Sequence, residues 1–320
     1  MGASTTVLAM GGNALLSDEG TATLAAQRRA VGEMSGVVGQ LIEEGRRVVL
    51  THGNGPQIGN LAYQQEDAAA VIAPQPLPML GAMTQGQIGH LFVLGLQAQH
   101  EAISATAIVS HVVVDRDDPA FQRPTKPIGP FFSQADARRL AHERDWEIVA
   151  DAGRGYRRVV ASPEPLRVIE GGAICQLVDA EQVVIAAGGG GVPVVEGDHG
   201  DLAGVDAVID KDLTAARMAT DIGAETLVLI TGVPRVVLDY GTNAERPVDE
   251  LDLDEAEAHL RAGQFPAGSM GPKILAATRF IRAGGRLSVI TDTQHTVAAV
   301  QGHHGTRIAN KAAITRSGVP

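Results

Sequence analysis

Three lysines stand in unusual loop positions of this sequence. Lys126 lies between two prolines, Lys211 lies between Asp210 and Asp212, and Lys273 ends a segment rich in glycine and proline. A lysine side chain binds a phosphate group as a mobile point charge. Because all three lysines fall near the ends of predicted strands or the starts of predicted helices, they indicate a site that holds phosphate groups.

Three glycine-rich turns follow apolar runs, at residues 11–12, 53–55 and 188–191. A backbone without Cβ atoms can take positive φ values and turn its N–H groups toward an anion. The Walker A pattern of phosphate-binding loops is absent from the sequence. The turn at 53–55 resembles a dinucleotide-binding fingerprint only loosely, because Pro56 interrupts it. The turns therefore predict anion binding without identifying the nucleotide.

The two aspartates around Lys211 have two possible roles. Either carboxylate could hold a lysine or a Mg²⁺ ion on a nucleotide. Either could also cap the N-terminus of the helix predicted over residues 213–222. Both roles stay open, and they can fall to different carboxylates. Phosphoryl transfer depends on positioning and charge neutralisation, which is the chemistry that these lysines and aspartates can supply.

Composition excludes several classes of protein. The net charge is −11, with 26 Lys and Arg against 37 Asp and Glu, and no basic run offers a face for nucleic acid. No apolar run reaches the roughly 18–20 residues that a membrane span needs, and no signal peptide is expected. Cys175 is the single cysteine, so no internal disulfide can form. We therefore expect a cytoplasmic protein with no membrane or nucleic-acid partner.

The elements that position these residues alternate between strands and helices. Strands are predicted at 5–10 and 47–51, each ending in a glycine turn, with a helix at 23–44 between them. Such alternation predicts a parallel sheet with helices on both faces and ligands at the carboxyl ends of the strands. We expect an α/β fold: a three-layer αβα sandwich around an open, mainly parallel central sheet, formed by one domain over residues 1–320.

Periodicity and turn signals predict the remaining elements. The proline-rich stretch 115–133 is expected to be stiff and irregular, and residues 115–165 are expected to form a small inserted flap subdomain. The predictions are helices at 81–101, 134–143, 213–222, 248–260 and 274–283, strands at 104–114, 226–231 and 287–291, the last of these as the final central strand, and a hairpin-like pair at 146–149 and 157–160.

Eight motifs in a fixed order carry a resemblance to a known family. They are G-G-N-A-L at 11–15, T-H-G-N-G-P at 51–56, G-A-M-x-Q-G at 81–86, P-T-K-P-I-G-P at 124–130, R-R-V-V-x-S-P at 157–163, G-G-G-G-x-P at 188–193, V-I-D-K-D-L at 208–213 and G-S-M-G-P-K at 268–273. Each motif alone is weak, but together they span nearly the whole chain. The chain resembles the carbamate kinases, which have the amino-acid kinase fold.

This resemblance implies a reaction and its partners. It implies reversible phosphoryl transfer between ATP and carbamate, giving ADP and carbamoyl phosphate, with Mg²⁺ accompanying the nucleotide. It also implies a homodimer. In this family the reaction often runs in the ATP-forming direction, in the catabolism of arginine and carbamoyl phosphate. No residue is assigned as a metal ligand.

The resemblance also assigns roles to individual residues. Lys211 matches the lysine at the transferring phosphoryl group, Lys126 the one that reaches from the inserted subdomain to carbamate, and Lys273 the one on the nucleotide phosphates. Asp212 matches the carboxylate that organises these lysines.

The matched loops divide the chain into a carbamate side, residues 1–175, and a nucleotide side, residues 176–320. The carbamate-side residues are Gly11, Gly12, Asn13, Gly53 and Asn54, and the nucleotide-side residues are Gly188, Gly189, Gly190, Thr231, Met270 and Lys273.

One departure from the family keeps two alternatives open. Gly232 and Pro234 follow Thr231 where relatives usually carry carboxylates beside the nucleotide. One alternative is a kinase of the same fold that acts on another small carboxylate or on a carbamate analogue. The other is a non-catalytic relative that binds a nucleotide or metabolite, although the retained lysines and Asp212 argue against it.

Overall fold

The computed structural model describes residues 3–16, 22–151, 155–266 and 268–311. The strands in these ranges are β1 (Thr5–Met10), β2 (Arg47–His52), β3 (Ala105–Ala107), β4 (His111–Val113), β5 (Lys126–Phe132), β6 (Ile148–Ala150), β7 (Tyr156–Val160), β8 (Arg167–Val168), β9 (Val183–Ile185), β10 (Val192–Glu196), β11 (Leu202–Gly204), β12 (Thr226–Ile230), β13 (Val236–Leu238), β14 (Arg246–Val248), β15 (Glu250–Asp252), β16 (Leu287–Thr291) and β17 (Thr306–Ala309). The helices are α1 (Leu24–Glu43), α2 (Gly55–Asp67), α3 (Leu77–Gln99), α4 (Gln134–Arg144), α5 (Gly171–Asp179), α6 (Lys211–Asp221), α7 (Leu253–Arg261), α8 (Met270–Arg282) and α9 (Thr296–Val300).

The central sheet has eight strands in the order β15-β17-β16-β12-β1-β2-β9-β3. Its neighbouring strands run parallel, except that β17 is antiparallel to β16. The strands in the middle are almost continuously apolar and buried, as expected for a sheet that is covered on both faces. The predicted, mainly parallel sheet is confirmed.

Alternate residues of β1 pack into two different helical layers. Val7 and Ala9 belong to the hydrophobic core that includes α5, α6, α7 and α8. Leu8 and Met10 belong to the core that includes α1, α3 and α9. The period of two along the strand thus separates the two faces, and the three-layer sandwich is confirmed. None of the helices in the described ranges combines the length and the apolar composition that spanning a membrane requires.

A small antiparallel sheet lies within the predicted insertion. Its order is β5-β7-β6, and with α4 it forms the unit that we call the flap, residues 126–160. The predicted pair of strands corresponds to β6 and β7. Lys126, predicted to lie in a loop, is the first residue of β5. β5 is an edge strand with β7 as its single neighbour in this sheet. A proline whose missing N–H would face away from β7 therefore costs no hydrogen bond between strands.

The flap docks on α2 through close backbone packing and a polar cluster. A Cβ atom on Gly59 of α2 would lie 1.9 Å from the backbone nitrogen of Gly129 in β5, so only glycine permits this approach. Nearby, the Glu66 carboxylate accepts hydrogen bonds from Trp146 Nε1 and from Arg158, each at 2.8 Å. These contacts fix β5, and with it Lys126, relative to the core.

The strand predicted at 104–114 is wrong, because the chain changes sheets there. β3 belongs to the central sheet, whereas β4 belongs to a second sheet of order β11-β10-β4-β8. Between them, the Gln85 amide binds both the backbone N–H and the carbonyl of Ser110, at 2.9 and 3.1 Å. This contact comes from α3, so the local pattern of residues 104–114 does not reveal it.

Two predictions near the C-terminal end also need correction. The helix predicted at 248–260 begins only at Leu253, because Asp252 forms a capping box with Glu255. Val248 and Leu251 fall within the predicted helix, but they lie buried in β14 and β15. The strand at 287–291 is not the last of the central sheet, since β17 pairs with it on the outer side.

Candidate active site

Glycine turns from three strands converge at one edge of the central sheet. β1, β2 and β9 end just before residues 11–12, 53–55 and 188–190. β1 has β2 on one side and β12 on the other, so connections diverge from it in both directions. A parallel α/β sheet binds its ligands in the crevice that forms at such a point.

Two buried lysines share one carboxylate in this crevice. Lys211 donates a short hydrogen bond to Asp212 Oδ1, and Lys273 Nζ donates to Asp212 Oδ2 at 2.8 Å. Both lysines are 7% exposed. Lys211 begins α6 and Lys273 lies in the first turn of α8, so the pairing holds two helix starts together. Lys211 Nζ also lies 3.5 Å from the Ala9 carbonyl oxygen, which places it beside β1.

Burial and charge act on these groups in opposite directions. Burial lowers the pKa of Lys211 to about 8, against the attraction of the Asp212 carboxylate. Burial has the same tendency at Lys273, but Asp212 and Asp210 outweigh it, and the pKa of Lys273 is raised. Burial would raise the pKa of Asp212, yet the two lysines lower it. At neutral pH the site therefore contains two ammonium groups on one carboxylate.

Asp210 connects the flap to the start of α6. Its Oδ2 accepts a hydrogen bond from Lys126 Nζ at 2.6 Å, and its Oδ1 accepts one from the backbone N–H of Asp212 at 2.9 Å. Burial would raise the pKa of Asp210, but Lys126 outweighs burial and holds that pKa well below its usual range. Asp210 therefore caps α6 and also holds Lys126, whereas Asp212 holds Lys211 and Lys273. The capping role falls to Asp210, and both carboxylates pair with lysines.

The turns after β2 and β9 interlock. Asn54 Nδ2 donates to Thr84 Oγ1 at 2.8 Å, and a Cβ atom on Gly189 would lie 2.1 Å from that same nitrogen. The His52 ring packs on Gly188 in the same way, and burial lowers its pKa to about 4, so the imidazole is neutral. His52 and Thr84 lie inside motifs of the sequence analysis, but their partners are distant in sequence, so the motifs alone did not reveal this role.

The predicted site residues fall into two groups across the sheet. Gly188 and Gly189 lie against His52 and Asn54, on the side of the predicted carbamate loops, and Gly190 lies against Ile209. Thr231 and Met270 follow β12 and begin α8, on the other side of β1. Because β9 pairs with β2 and β3, a division of the chain at residue 175 does not match the division across the sheet.

The turn at residues 11–12 lies between these two groups. A Cβ atom on Gly11 would lie 3.2 Å from the Ile230 carbonyl at the end of β12, and one on Gly12 would lie 3.5 Å from the Cα of Gly53. Asn13 is in the short turn that follows, and its side chain lies outside the described residues. The turn is therefore placed where the two halves of the crevice meet.

Open helix N-termini add to the positive field of the crevice. α2 and α8 begin after Asn54 and Ser269 without a hydrogen bond from a capping side chain, although at α8 the Gly271 N–H donates to the Pro266 carbonyl at 2.9 Å. By contrast, α1 and α4 are capped by Thr23 and Ser133. Free N–H groups at a helix start favour anions. Together with the lysines, they make the crevice suited to phosphate groups.

The carboxylates of the crevice do not form a magnesium site of their own. Asp210 and Asp212 both bind lysines. Across the described ranges, no group of three His, Cys, Asp or Glu side chains is arranged to hold a metal ion. A magnesium ion needs several oxygen ligands, which the phosphates of a nucleotide can supply.

We predict that Asp212→Asn lowers the free energy of unfolding by about 3–5 kcal/mol, because it leaves two buried ammonium groups without their counter-charge. Urea denaturation at neutral pH measures this loss. Asp221→Asn is the control on the same helix, since Asp221 pairs with Arg217 at the surface, and it should change stability little. Equal effects of the two variants would contradict the role given to Asp212.

Comparisons with known proteins agree with this geometry. The pattern of the amino acid kinase family matches residues 4–292. A carbamate kinase of Pyrococcus horikoshii is 41% identical over 308 residues, covering 94% of this chain and 98% of that protein. A carbamate kinase-like protein of Escherichia coli is 44% identical over 313 residues, covering 94% of this chain and 98% of that protein.

The fold agrees as well. The structure of a carbamate kinase from Giardia lamblia bound to AMP-PNP superposes with a TM-score of 0.87 at 38% identity, covering 97% of this chain and 99% of that chain. The match extends through the sheet, both helical layers and the flap, since so little of either chain is left out. The chain therefore belongs to the amino acid kinase family, in the group formed by the carbamate kinases and carbamate kinase-like proteins.

Proposed function

We propose that this protein is a carbamate kinase, which transfers a phosphoryl group reversibly between ATP and carbamate. The observation that carries the proposal is the cluster of Lys211, Asp212 and Lys273 at the centre of the crevice, with Lys126 reaching it from the flap. The cluster gathers positive charge where two anions must meet. The similarity of this chain to carbamate kinases supports carbamate as the acceptor.

The chemistry needs little covalent help from the protein. An oxygen of carbamate attacks the γ-phosphorus of ATP, a new P–O bond forms, and the bond to the leaving ADP oxygen breaks. Carbamate is already an anion, so no general base has to remove a proton. The main barrier is the repulsion between carbamate and the nucleotide phosphates, which fixed cations and N–H groups reduce.

The residues divide this task between them. Lys211 neutralises the transferring phosphoryl group, Lys273 binds the nucleotide phosphates, and Asp212 holds both lysines in position. Lys126, carried by the flap, neutralises the acceptor. The acceptor is bound by Gly11, Gly12, Asn13, Gly53 and Asn54, and the nucleotide by Thr231, Met270 and Lys273. The resemblance also assigns Gly188, Gly189 and Gly190 to the nucleotide, whereas the packing of this loop on His52 and Asn54 favours a place beside the acceptor.

Magnesium enters this proposal as part of the nucleotide. Asp210 and Asp212 are occupied by lysines, so the side chains of the described crevice do not fit a magnesium ion held by the protein alone. We assign no step to the ion. The charge of the phosphates is countered in this scheme by Lys211, Lys273 and the open start of α8.

The cellular role follows from the resemblance. We propose that the enzyme acts in the cytoplasm and forms ATP from carbamoyl phosphate during arginine catabolism. The single cysteine is compatible with a reducing compartment. Burial raises the pKa of the Cys175 thiol, so it is a poor nucleophile at neutral pH.

We also propose that the enzyme is a homodimer that pairs through α3. One face of this helix carries Met79, Met83, His90 and Leu94, at intervals of about one or two turns, and all four are exposed. An exposed apolar stripe of this kind is typical of a protein interface. A buried side of α3 carries Thr84, which binds Asn54. A partner on the stripe would thus support the helix that holds the acceptor loop.

The assay that tests the function measures ATP formed from Mg-ADP and carbamoyl phosphate. We predict rapid ATP formation by the wild type and a loss of about 10²–10³-fold in kcat for Lys211→Ala, because one donor to the developing charge is removed. Lys311→Ala is the control, since Lys311 is the one lysine of the sequence outside the cluster and is exposed.

ATP formation that survives in Lys211→Ala would exclude the assigned role. A wild type that binds nucleotide yet forms no ATP would favour another acceptor, and one that binds no nucleotide would favour a non-catalytic relative.

Activity should depend on pH through Lys211. With a pKa of about 8, this lysine loses its proton and its charge as pH rises above 8, so kcat/KM should fall about tenfold per pH unit there. In Asp212→Asn the decline should begin at a lower pH, because the Asp212 carboxylate favours the protonated lysine. Lys211→Arg is the control, since arginine does not titrate in this range. A decline near pH 8 that persists in Lys211→Arg would assign it to another group.

The dimer is tested by Leu94→Glu. Burying an unpaired carboxylate costs several kcal/mol, so this variant should raise the Kd of the dimer by at least about a hundredfold. Analytical ultracentrifugation measures the change. Val71→Glu is the control, because Val71 is 87% exposed but lies outside α3, and it should leave the Kd unchanged. Equal dissociation of both variants, or a monomeric wild type, would refute pairing through α3.

A further inference from the structure

Gln57, the third residue of α2, has a buried amide group without a partner. The residue is 4% exposed, and neither Nε2 nor Oε1 has a hydrogen-bond partner in the described part of the chain. Gln85 on α3 is also 4% exposed, but its amide binds the backbone of Ser110 with both atoms. An unpaired buried amide costs free energy and calls for an explanation.

The start of α2 lies among the elements proposed to bind the acceptor. A Cβ atom on Gly53, just before this helix, would lie 2.5 Å from the backbone nitrogen of Gly12, and one on Gly55 would lie 3.7 Å from the Pro127 carbonyl of the flap. Side chains of a helix lean toward its N-terminus. The Gln57 side chain therefore leans toward the turn at residues 53–54, between the first glycine loop and the flap.

The chemistry of the amide matches one feature of carbamate. The carbamoyl group of carbamoyl phosphate is itself a primary amide, with an N–H donor beside a carbonyl acceptor. Two primary amides can pair through two hydrogen bonds, and Gln57 offers the complementary donor, Nε2, and acceptor, Oε1. Both atoms are shielded from solvent in the unliganded chain. The pairing therefore removes no water from them, but the packing around the start of α2 has to open as the acceptor binds.

We propose that Gln57 determines the specificity of the acceptor site by hydrogen-bonding the amino and carbonyl groups of the carbamoyl moiety. This inference rests on the proposed carbamate kinase activity and adds the residue that recognises the amino group. A site that bonds a substrate N–H discriminates strongly against an analogue that lacks it. Acetyl phosphate is such an analogue, because a methyl group replaces the amino group.

The test compares carbamoyl phosphate and acetyl phosphate as phosphoryl donors to Mg-ADP in the wild type and in Gln57→Met. Methionine has a similar shape but no amide. We expect kcat/KM for carbamoyl phosphate to fall about 10- to 100-fold, at about 1.4 kcal/mol per factor of ten, and kcat/KM for acetyl phosphate to fall less, because acetyl phosphate can lose only the bond to its carbonyl group. The preference for carbamoyl phosphate should therefore fall by the ratio of the two losses.

A stability measurement separates recognition from a structural role. Gln57→Met removes two unpaired buried polar atoms, so its Tm should equal or exceed that of the wild type. Gln85→Met is the matched control, and its Tm should fall because the Ser110 backbone loses both partners. Gln57→Leu is the second variant should the methionine variant fold poorly, with the same expectations for preference and Tm.

The outcomes distinguish the role of Gln57 from the proposed carbamate kinase activity on which it rests. A wild type that forms ATP from carbamoyl phosphate, together with variants that keep the wild-type preference, would overturn the role of Gln57 alone. A lowered Tm with equal losses on both acyl phosphates would also overturn it, in favour of a packing role. A wild type that forms no ATP from carbamoyl phosphate would overturn the proposed function and this inference together.

Discussion

Two buried ammonium groups lie side by side in this protein because one carboxylate lies between them. Without Asp212, burial and mutual repulsion would favour the neutral form of Lys211 or Lys273, and the crevice would lose the charge that suits it to phosphate. The same carboxylate joins the starts of α6 and α8, which come from different parts of the chain. Charge, helix packing and position in the sheet therefore depend on one interaction.

The flap is tied to this centre through Asp210. That carboxylate binds Lys126 and also caps α6, the helix that carries Lys211 and Asp212. Movement of the flap away from the crevice would break an ion pair at the start of the helix. The position of the flap and the electrostatics of the lysine cluster are thus linked by a contact of two side chains, while Glu66 and the Gly59–Gly129 packing hold the flap at its other side.

Much of this arrangement could be predicted from local patterns. β1, β2 and the glycine turns follow from apolar runs and their interruption, and the lysines stand out because their neighbours are glycine, proline and aspartate. The pairing of Asp210 with Lys126 could not be predicted, because the two residues lie 84 positions apart in the sequence. The break between β3 and β4 depends likewise on Gln85, and β17 has only four residues with little pattern to detect. Gln57 gave no signal in the sequence, since what distinguishes it is the lack of a partner in the described fold.

The distribution of lysine has a consequence for chemical labelling. The sequence contains four lysines. Three of them, Lys126, Lys211 and Lys273, meet in the crevice, the fourth is Lys311, and arginine supplies the remaining cationic side chains counted with lysine. An acylating reagent that modifies primary amines but not guanidinium groups thus finds few side-chain targets outside the crevice. Lys211, with its lowered pKa, has the larger neutral and reactive fraction at mildly alkaline pH. The protein thereby combines a surface that is nearly inert to such reagents with an interior amine that reports whether the crevice is occupied.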